Sequence, residues 1–213
     1  MQGIDAFYHG LILFFAVHLL AGLHEFQILV SKTIGKTVHR ILHSMITLFA
    51  LYLITIGFTY RPLNIGYELF DWGYWVPVVT MPFSMMLLAG AFSSDIKRIT
   101  RHPMLWAIVI FAASHLFANN DLGTIYLFGS FLAYGFIAMF TSDRKMRLGK
   151  PEKWAEVSAK TSIFPFLAII QGKTNPPKGG AGRFAIGLGI LLYVLLAFLH
   201  PFFTGMAIQG FYI

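Results

Sequence analysis

The chain has 213 residues, of which 57% are hydrophobic and only 12% are charged, and it contains no cysteine. This composition lies outside the range of soluble globular domains. The lack of cysteine excludes disulfides, thiolate metal sites and haem attached through a C-x-x-C-H motif. The formal net charge is +7, and because membrane proteins collect Lys and Arg on one side, we interpret it as a topology signal and expect no nucleic-acid partner.

Apolar runs recur along the chain, each near the length of about 20 residues that a membrane-spanning helix needs. They predict an all-α, polytopic membrane helix bundle, formed by a single domain over residues 1–213 with six transmembrane helices. The six spans are predicted at 4–23, 42–60, 74–92, 103–119, 122–141 and 184–203. The N-terminus has neither a basic region nor a small-residue cleavage site, so the first apolar segment is expected to stay as a helix.

The positions of Lys and Arg predict the orientation. Connections 23–41, 93–102 and 142–183 hold all basic residues except Arg61, which lies in a loop on the opposite side. By the positive-inside rule both termini then face outward, and the 142–183 segment is cytoplasmic or interfacial. We therefore expect a multi-pass protein of the bacterial inner (cytoplasmic) membrane, with the lipid bilayer as its main partner.

Local signals refine this picture. Pro151 is expected to open a short helix over 152–160, and Asp121 is expected to cap the helix that starts next to it. The apolar stretch 163–170 is too short to span, so it either lies in the membrane interface or folds back into the bundle. Small residues four apart predict close helix packing in the last two spans; they are Gly129, Ala133, Ala181, Ala185 and Gly189.

Two of the eight histidines are predicted at membrane depth, where a histidine is costly and suggests a function. At about 1.5 Å of rise per residue, His18 lies ~21 Å from the outer end of its span and His115 lies ~20 Å from the cytoplasmic end of its own. Paired histidines on facing helices hold haem iron in helix bundles. A buried histidine can equally donate to a backbone carbonyl and tie helices together, so both interpretations stay open.

The most distinctive strings are I-T-R-H-P-M-L-W at 99–106 and S-H-L-F-A-N-N-D-L at 114–122. Others are F-F-A-V-H-L at 14–19, G-K-T-V-H-R-I-L-H-S at 35–44 and T-S-I-F-P-F-L-A-I-I-Q-G-K at 161–173. With these strings the chain resembles the NnrU family of bacterial membrane proteins, which is associated with denitrification gene clusters. The 15-cis-zeta-carotene isomerases of plants and cyanobacteria are better understood relatives of that family.

This resemblance implies a haem b cofactor and, by analogy with the isomerases, redox-gated cis–trans isomerisation of a carotene. The axial histidines implicated there fall on His18 and His115, and a cysteine implicated there is Ala112 in this chain. The resemblance therefore implies bis-histidine ligation without that cysteine. The family usually has aromatic residues where this chain has His39 and His43.

Three further residues are candidates for holding the cofactor. Arg98, Arg101 and His102 are predicted at the cytoplasmic interface, where a haem propionate or a lipid headgroup would lie, and guanidinium groups suit either through bidentate pairing. By height in the membrane, His43 and His102 are alternative partners for His18.

The sequence thus predicts a haem b membrane protein of denitrification-linked or other redox metabolism, with an isomerase-like reaction and a hydrophobic small molecule as its ligand. A haem-free transporter, or an accessory or assembly subunit of a membrane complex, is the alternative. Only the span 74–92, with Pro77 and Pro82, shows the broken-helix pattern that transporters have in pairs.

Overall fold

The computed structural model describes residues 3–205, except for the side chains of Ala181 and Phe203. Within this range the chain forms helices and no strand, with one isolated antiparallel bridge between Ile65 and Asp121. The helices are α1 (Gly3–Gly22), α2 (His24–Thr33), α3 (Lys36–Phe58), α4 (Trp75–Ala89), α5 (Ile96–Ile99), α6 (Pro103–Ala118), α7 (Leu122–Gly149), α8 (Pro151–Lys160), α9 (Leu167–Ile170) and α10 (Gly180–Thr204). The predicted all-α class is confirmed for the described residues.

The long apolar helices α1, α3 and α7, together with Gly182–Phe202 of α10, are long and apolar enough to cross a bilayer. The apolar helices α4 and α6 have 15 and 16 residues and are shorter than a typical span. The chain is a multi-pass membrane protein. The count of six spans and the outward termini stay predictions.

Two helices extend beyond the membrane spans that hydropathy predicts. Helix α3 begins at Lys36, before the span predicted at 42–60, and α7 continues to Gly149, past the span predicted to end at 141. In both cases the extra turns are polar and leave the apolar span, yet their residues keep helical hydrogen bonding. The 23–41 connection also contains α2, a helix that we did not predict.

Other local predictions are confirmed. Helix α8 begins at Pro151, and the Asp121 side chain caps α7 by accepting a hydrogen bond of 2.9 Å from the Thr124 backbone N–H. The 163–170 stretch folds back, since the backbone N–H of Phe166 donates to the Ile99 carbonyl at 2.7 Å.

The described contacts divide the chain into two compact units. Unit 1 comprises Met1–Glu68 and Asn120–Lys153, and unit 2 comprises Leu69–Asn119 and Trp154–Ile213. The description of residues 1–213 as one domain stays a prediction.

In unit 1, glycines let α1 lie directly against α3. A Cβ added at Gly10 would lie 2.7 Å from the Ile54 nitrogen and 2.9 Å from the Ala50 carbonyl oxygen. About one turn earlier on α1, a Cβ added at Gly57 of α3 would collide with the backbone of Phe7, whose side chain is fully buried. Such small residues permit close backbone approach, which is a main source of helix association in membranes.

In unit 2, α4 packs against both α6 and α10. Ser84 is fully buried and donates a 2.7 Å hydrogen bond to the Ala107 carbonyl on α6. A Cβ added at Gly189 of α10 would lie 2.5 Å from the Met86 Cα, and Ala185 is buried one turn earlier. The predicted close packing is therefore confirmed at Ala185 and Gly189, whereas a Cβ at Gly129 of unit 1 would meet no described atom within 4 Å.

Candidate functional site

His18 lies in the last turns of α1, and its ring is held in one orientation. Its Nδ1 is 2.7 Å from the Phe14 carbonyl oxygen one turn earlier. Because a carbonyl only accepts hydrogen bonds, the proton is on Nδ1 and the lone pair is on Nε2. The Phe14 ring also stacks on the imidazole, with centres 4.2 Å apart and planes at 24°. This arrangement of a histidine fixed through its other nitrogen is the usual one for metal ligands.

Two more histidines lie beside His18. The His43 ring on α3 is 4.9 Å from it, centre to centre, with planes at 63°. His39 precedes His43 by one helical turn, and these two ring centres are 6.2 Å apart. The Nδ1 atom of His43 is buried and has no hydrogen-bond partner among the described residues. A buried polar atom without a partner is costly, and it marks a place where a ligand would gain a hydrogen bond.

These three histidines line a cavity of about 740 Å³ in unit 1. Its walls also carry four cationic side chains, and no Asp or Glu is among the described residues that line it; the cations are Lys36, Arg40, Lys145 and Lys150. A cavity with one sign of charge attracts ligands of the opposite sign. The cavity is therefore suited to an anionic molecule that also has an atom for imidazole to bind.

An apolar groove of about 410 Å³ adjoins this cavity. It lies between α1 and α7 and is lined by Tyr8, Leu11, Ile12, Phe15, Leu19, Ser130, Ala133, Tyr134 and Ile137. Leu19 and Tyr134 line both the groove and the histidine cavity. The Tyr134 ring centre is 5.7 Å from that of His18 and 6.0 Å from that of Phe15.

An exposed ion pair holds α2 against α7 next to the cavity. The Arg144 guanidinium donates to both carboxylate oxygens of Glu25, at 2.8 and 3.2 Å. These hydrogen bonds lower the pKa of Glu25 to about 2. Since Gln27 and Ser31 of α2 line the cavity, the pair helps to position one of its walls.

His115 lies in unit 2 and repeats the local pattern of His18. Its Nδ1 is 2.8 Å from the Phe111 carbonyl oxygen, one turn earlier, and the Phe111 ring centre is 4.4 Å away. Asn119 donates to the His115 carbonyl at 3.0 Å. The pairing of His18 with His115 stays a sequence prediction, because the two residues belong to different compact units.

The remaining predicted site residues also lie in unit 2. Arg101 donates to the Thr161 hydroxyl at 2.9 Å and to the Thr161 carbonyl at 3.0 Å, and its guanidinium lies 4.6 Å from the Trp154 ring centre. Arg98 makes a long contact of 3.9 Å with Asp95, and His102 directly precedes α6. Arg101 therefore joins the start of α6 to the chain that follows α8.

Within residues 3–205, no group of three or more His, Cys, Asp or Glu side chains is arranged to hold a metal ion. This finding gives no support to a metal site made by the protein alone. Haem is a different case because it supplies four nitrogen ligands itself and needs only one or two from the chain.

Comparison with known proteins places the chain in a family. The family model described as NnrU protein matches residues 6–208. The chain belongs to the NnrU family. This membership confirms the sequence resemblance. The matched residues include parts of both units of this NnrU protein.

Two curated relatives are 15-cis-zeta-carotene isomerases of chloroplasts. The protein of Zea mays is 30% identical over 86 residues, which are 40% of this chain and 23% of the relative. The protein of Arabidopsis thaliana is 26% identical over 121 residues, which are 54% of this chain and 32% of the relative. The matched regions thus span only about a quarter to a third of the relatives. No solved structure matches the chain.

The histidine cavity was not predicted from the sequence as a site, although a signal for it was present. His39 and His43 are four residues apart and therefore lie on one face of a helix, but each was assessed singly by its depth. The four cations come from α3, α7 and the residue after α7, so only the fold brings them together.

Proposed function

We propose that this NnrU protein binds haem b in the cavity of unit 1, with His18 as an axial ligand, and that it acts on a hydrophobic small molecule. The observation that carries this proposal is the fixed tautomer of His18 at a cavity with a cationic wall. The Nε2 lone pair is the atom that would bind iron.

The residues present fit the cofactor. A volume of about 740 Å³ is within the usual range of ligand sites, about 300–1,000 Å³. Haem carries two carboxylates, and Lys36, Arg40, Lys145 and Lys150 supply cations for charge-assisted hydrogen bonds to them. The buried Nδ1 of His43 offers a further hydrogen-bonding atom.

We propose His115, which the family resemblance indicates, as a second histidine that would bind the iron. His43, whose ring centre is 4.9 Å from that of His18, and His102 are the alternatives. Arg98, Arg101 and His102 are the proposed further contacts of the cofactor.

The proposed activity is an isomerase-like or other redox reaction in the bacterial cytoplasmic membrane, including a denitrification-linked role. Haem iron, when bound, supplies one-electron chemistry. The names of the plant relatives support cis–trans isomerisation of an apolar polyene as the reaction class. The contribution of this chain's own residues is to bind the iron, pair the carboxylates and hold the apolar molecule next to the cofactor.

The test is a panel of single Ala variants at His18, His43, His102 and His115, with exposed His9 as the control. Reduced-minus-oxidised absorption spectra are recorded on each purified protein. We expect the low-spin haem signal to disappear in His18→Ala and His115→Ala and to persist in the other three. Loss in His18→Ala and His43→Ala alone would reassign the second ligand, and an unchanged spectrum in His18→Ala would contradict the proposal.

A further inference from the structure

The cations that line the histidine cavity have no carboxylate partner. Lys36 and Arg40 are exposed on α3, Lys150 directly follows α7, and the Lys145 ammonium lies 3.5 Å from the Ala21 carbonyl oxygen near the end of α1. Within the part of the chain that the structure describes, none of these four cations forms an ion pair. A cleft with charges of one sign raises the local concentration of ligands of the opposite sign. This end of unit 1 would therefore gain from binding an anion.

The groove between α1 and α7 has the length of one lipid leaflet. On α1 its lining runs from Tyr8 to Leu19, which is about 16 Å of helix. One leaflet contributes about 15 Å to the hydrocarbon core of a bilayer. Both helices are candidate membrane spans, so an acyl chain of the surrounding lipid could enter this groove without crossing water.

The groove and the cationic cavity follow one another along the same helices. Leu19 and Tyr134 line both spaces, and on α7 the cations come after the groove. From Ser130 in the groove to Lys145 in the cavity is about 22 Å of helix, and half of a bilayer with its headgroups measures about 20–22 Å. The groove therefore matches the acyl region of a lipid, and the cations match the depth of its headgroup.

Charge decides which kind of lipid fits. A zwitterionic phospholipid carries its own cation, which the cationic wall would repel, whereas an anionic phospholipid carries none. Lys and Arg donate strong, charge-assisted hydrogen bonds to phosphate oxygens. The four cations belong to the 23–41 and 142–183 connections, which the positive-inside rule assigns to the cytoplasm. The cytoplasmic leaflet is the one with a negative surface potential, and basic pockets between helices on that side bind anionic headgroups.

We propose that unit 1 binds one anionic phospholipid, with its phosphate among the four cations of the cavity and one acyl chain in the groove between α1 and α7. The proposal goes beyond the proposed function, since it stands on the cations and the groove whether or not the protein binds haem. The lipid phosphate and the carboxylates of haem would use the same cations. The lipid therefore occupies the cavity while haem is absent.

The experiment uses the full chain, prepared without haem and purified in detergent. It is titrated with phosphatidylglycerol, which is anionic, or with phosphatidylcholine of the same acyl chains, and bound lipid is counted by native mass spectrometry. We expect phosphatidylglycerol to bind roughly tenfold more tightly. The double variant Lys36→Gln/Arg40→Gln should lose this preference. The matched control Lys32→Gln/Arg147→Gln removes the same charges at exposed positions that line neither space, and it should keep the preference.

A second pair of variants tests the groove. Ala133→Trp fills it, whereas Ala16→Trp adds the same side chain at another exposed alanine that lines neither space. We expect the affinity for phosphatidylglycerol to fall by roughly tenfold in Ala133→Trp and to stay unchanged in Ala16→Trp. Ser130→Phe is the second groove variant, in case Ala133→Trp does not fold.

Three outcomes would overturn the proposal. Equal affinity for the two lipids in the wild type would show that only unselective boundary lipid is bound. Competition by free glycerol phosphate as strong as that by the whole lipid would show that the cavity takes any phosphate. Unchanged affinity in both folded groove variants would show that the groove does not hold the acyl chain. The haem proposal is judged separately, because a chain that takes up haem but shows no preference for phosphatidylglycerol contradicts only the lipid.

Discussion

The imidazole rings of His18 and His43 lie 4.9 Å apart on two different helices, and their hydrogen bonding is unequal. His18 is anchored through Nδ1 to the Phe14 carbonyl, whereas the buried Nδ1 of His43 has no partner among the described residues. The same two helices pack closely at Gly10, where an added Cβ would lie 2.7 Å from the Ile54 nitrogen. One histidine is thus held in one orientation by its hydrogen bond, and the other has a buried nitrogen to which a bound molecule would add a hydrogen bond.

The unpaired nitrogen of His43 predicts that His43→Phe stabilises the haem-free protein. The change keeps an aromatic ring in place and removes a buried polar atom, whose desolvation costs about 1–3 kcal/mol. We expect the free energy of unfolding in detergent to rise by about 1 kcal/mol. The comparison is His18→Phe, which loses the hydrogen bond to Phe14 and should show no rise in the free energy of unfolding. A less stable His43→Phe would mean that this nitrogen has a partner.

Replacing either of two helix glycines in unit 1 by alanine is expected to change the stability of the protein, in opposite directions. Gly10→Ala places a Cβ 2.7 Å from the Ile54 nitrogen, and such overpacking costs about 1–3 kcal/mol. Gly129→Ala meets no described atom within 4 Å, so the gain in helix propensity, up to about 1 kcal/mol, remains. Thermal unfolding of both variants checks this. Equal effects at the two positions would contradict the close approach of α1 and α3.

Local chemistry explains which parts of the fold could be predicted. The cap at Asp121 and the start of α8 at Pro151 each depend on one or two neighbouring residues. Hydropathy located the apolar helices, but it did not show that α3 and α7 continue beyond the apolar region into polar turns. Those turns carry Lys36, Arg40 and Lys145, which is why the cationic wall of the cavity was missed.

Arg101 is expected to hold in place the segment that follows α8. It donates twice to Thr161 and lies over Trp154, so Arg101→Ala should loosen the 161–170 segment and speed its cleavage by a protease. Arg98→Ala is the control, because the Arg98 side chain is 42% exposed and its contact with Asp95 is long, at 3.9 Å. Unchanged cleavage combined with loss of haem in Arg101→Ala would instead assign this residue to the cofactor.

The Glu25 carboxyl should titrate far below its ordinary range. Its pKa is about 2, against 4.5 without its partners, because the Arg144 guanidinium donates to it. A lowered pKa in the folded state stabilises the protein above pH 4.5, and this contribution is lost as the pH falls toward 2. Carboxyl NMR of the wild type and of Arg144→Gln measures the pKa of Glu25 directly. We expect the pKa to return toward 4.5 in the variant, and an equal pKa in both would contradict the ion pair.

The candidate site was predictable only in part. The strings around His18 and His115 carry the family resemblance, so both histidines were found from the sequence alone. Whether a second ligand is close to His18 depends on how α1, α3 and α7 pack, which no spacing within one helix reveals. The same holds for the apolar groove, since its two walls are more than 100 residues apart in the chain.

The most direct test of the haem proposal is the haem content of the purified, folded wild-type protein. The protein is produced with haem supplied in excess, and its haem is extracted and compared with the protein concentration. We predict one haem b per chain, with a low-spin spectrum that is lost in His18→Ala, while His9→Ala keeps it. A folded, monodisperse wild type that contains no haem after this loading would contradict the account.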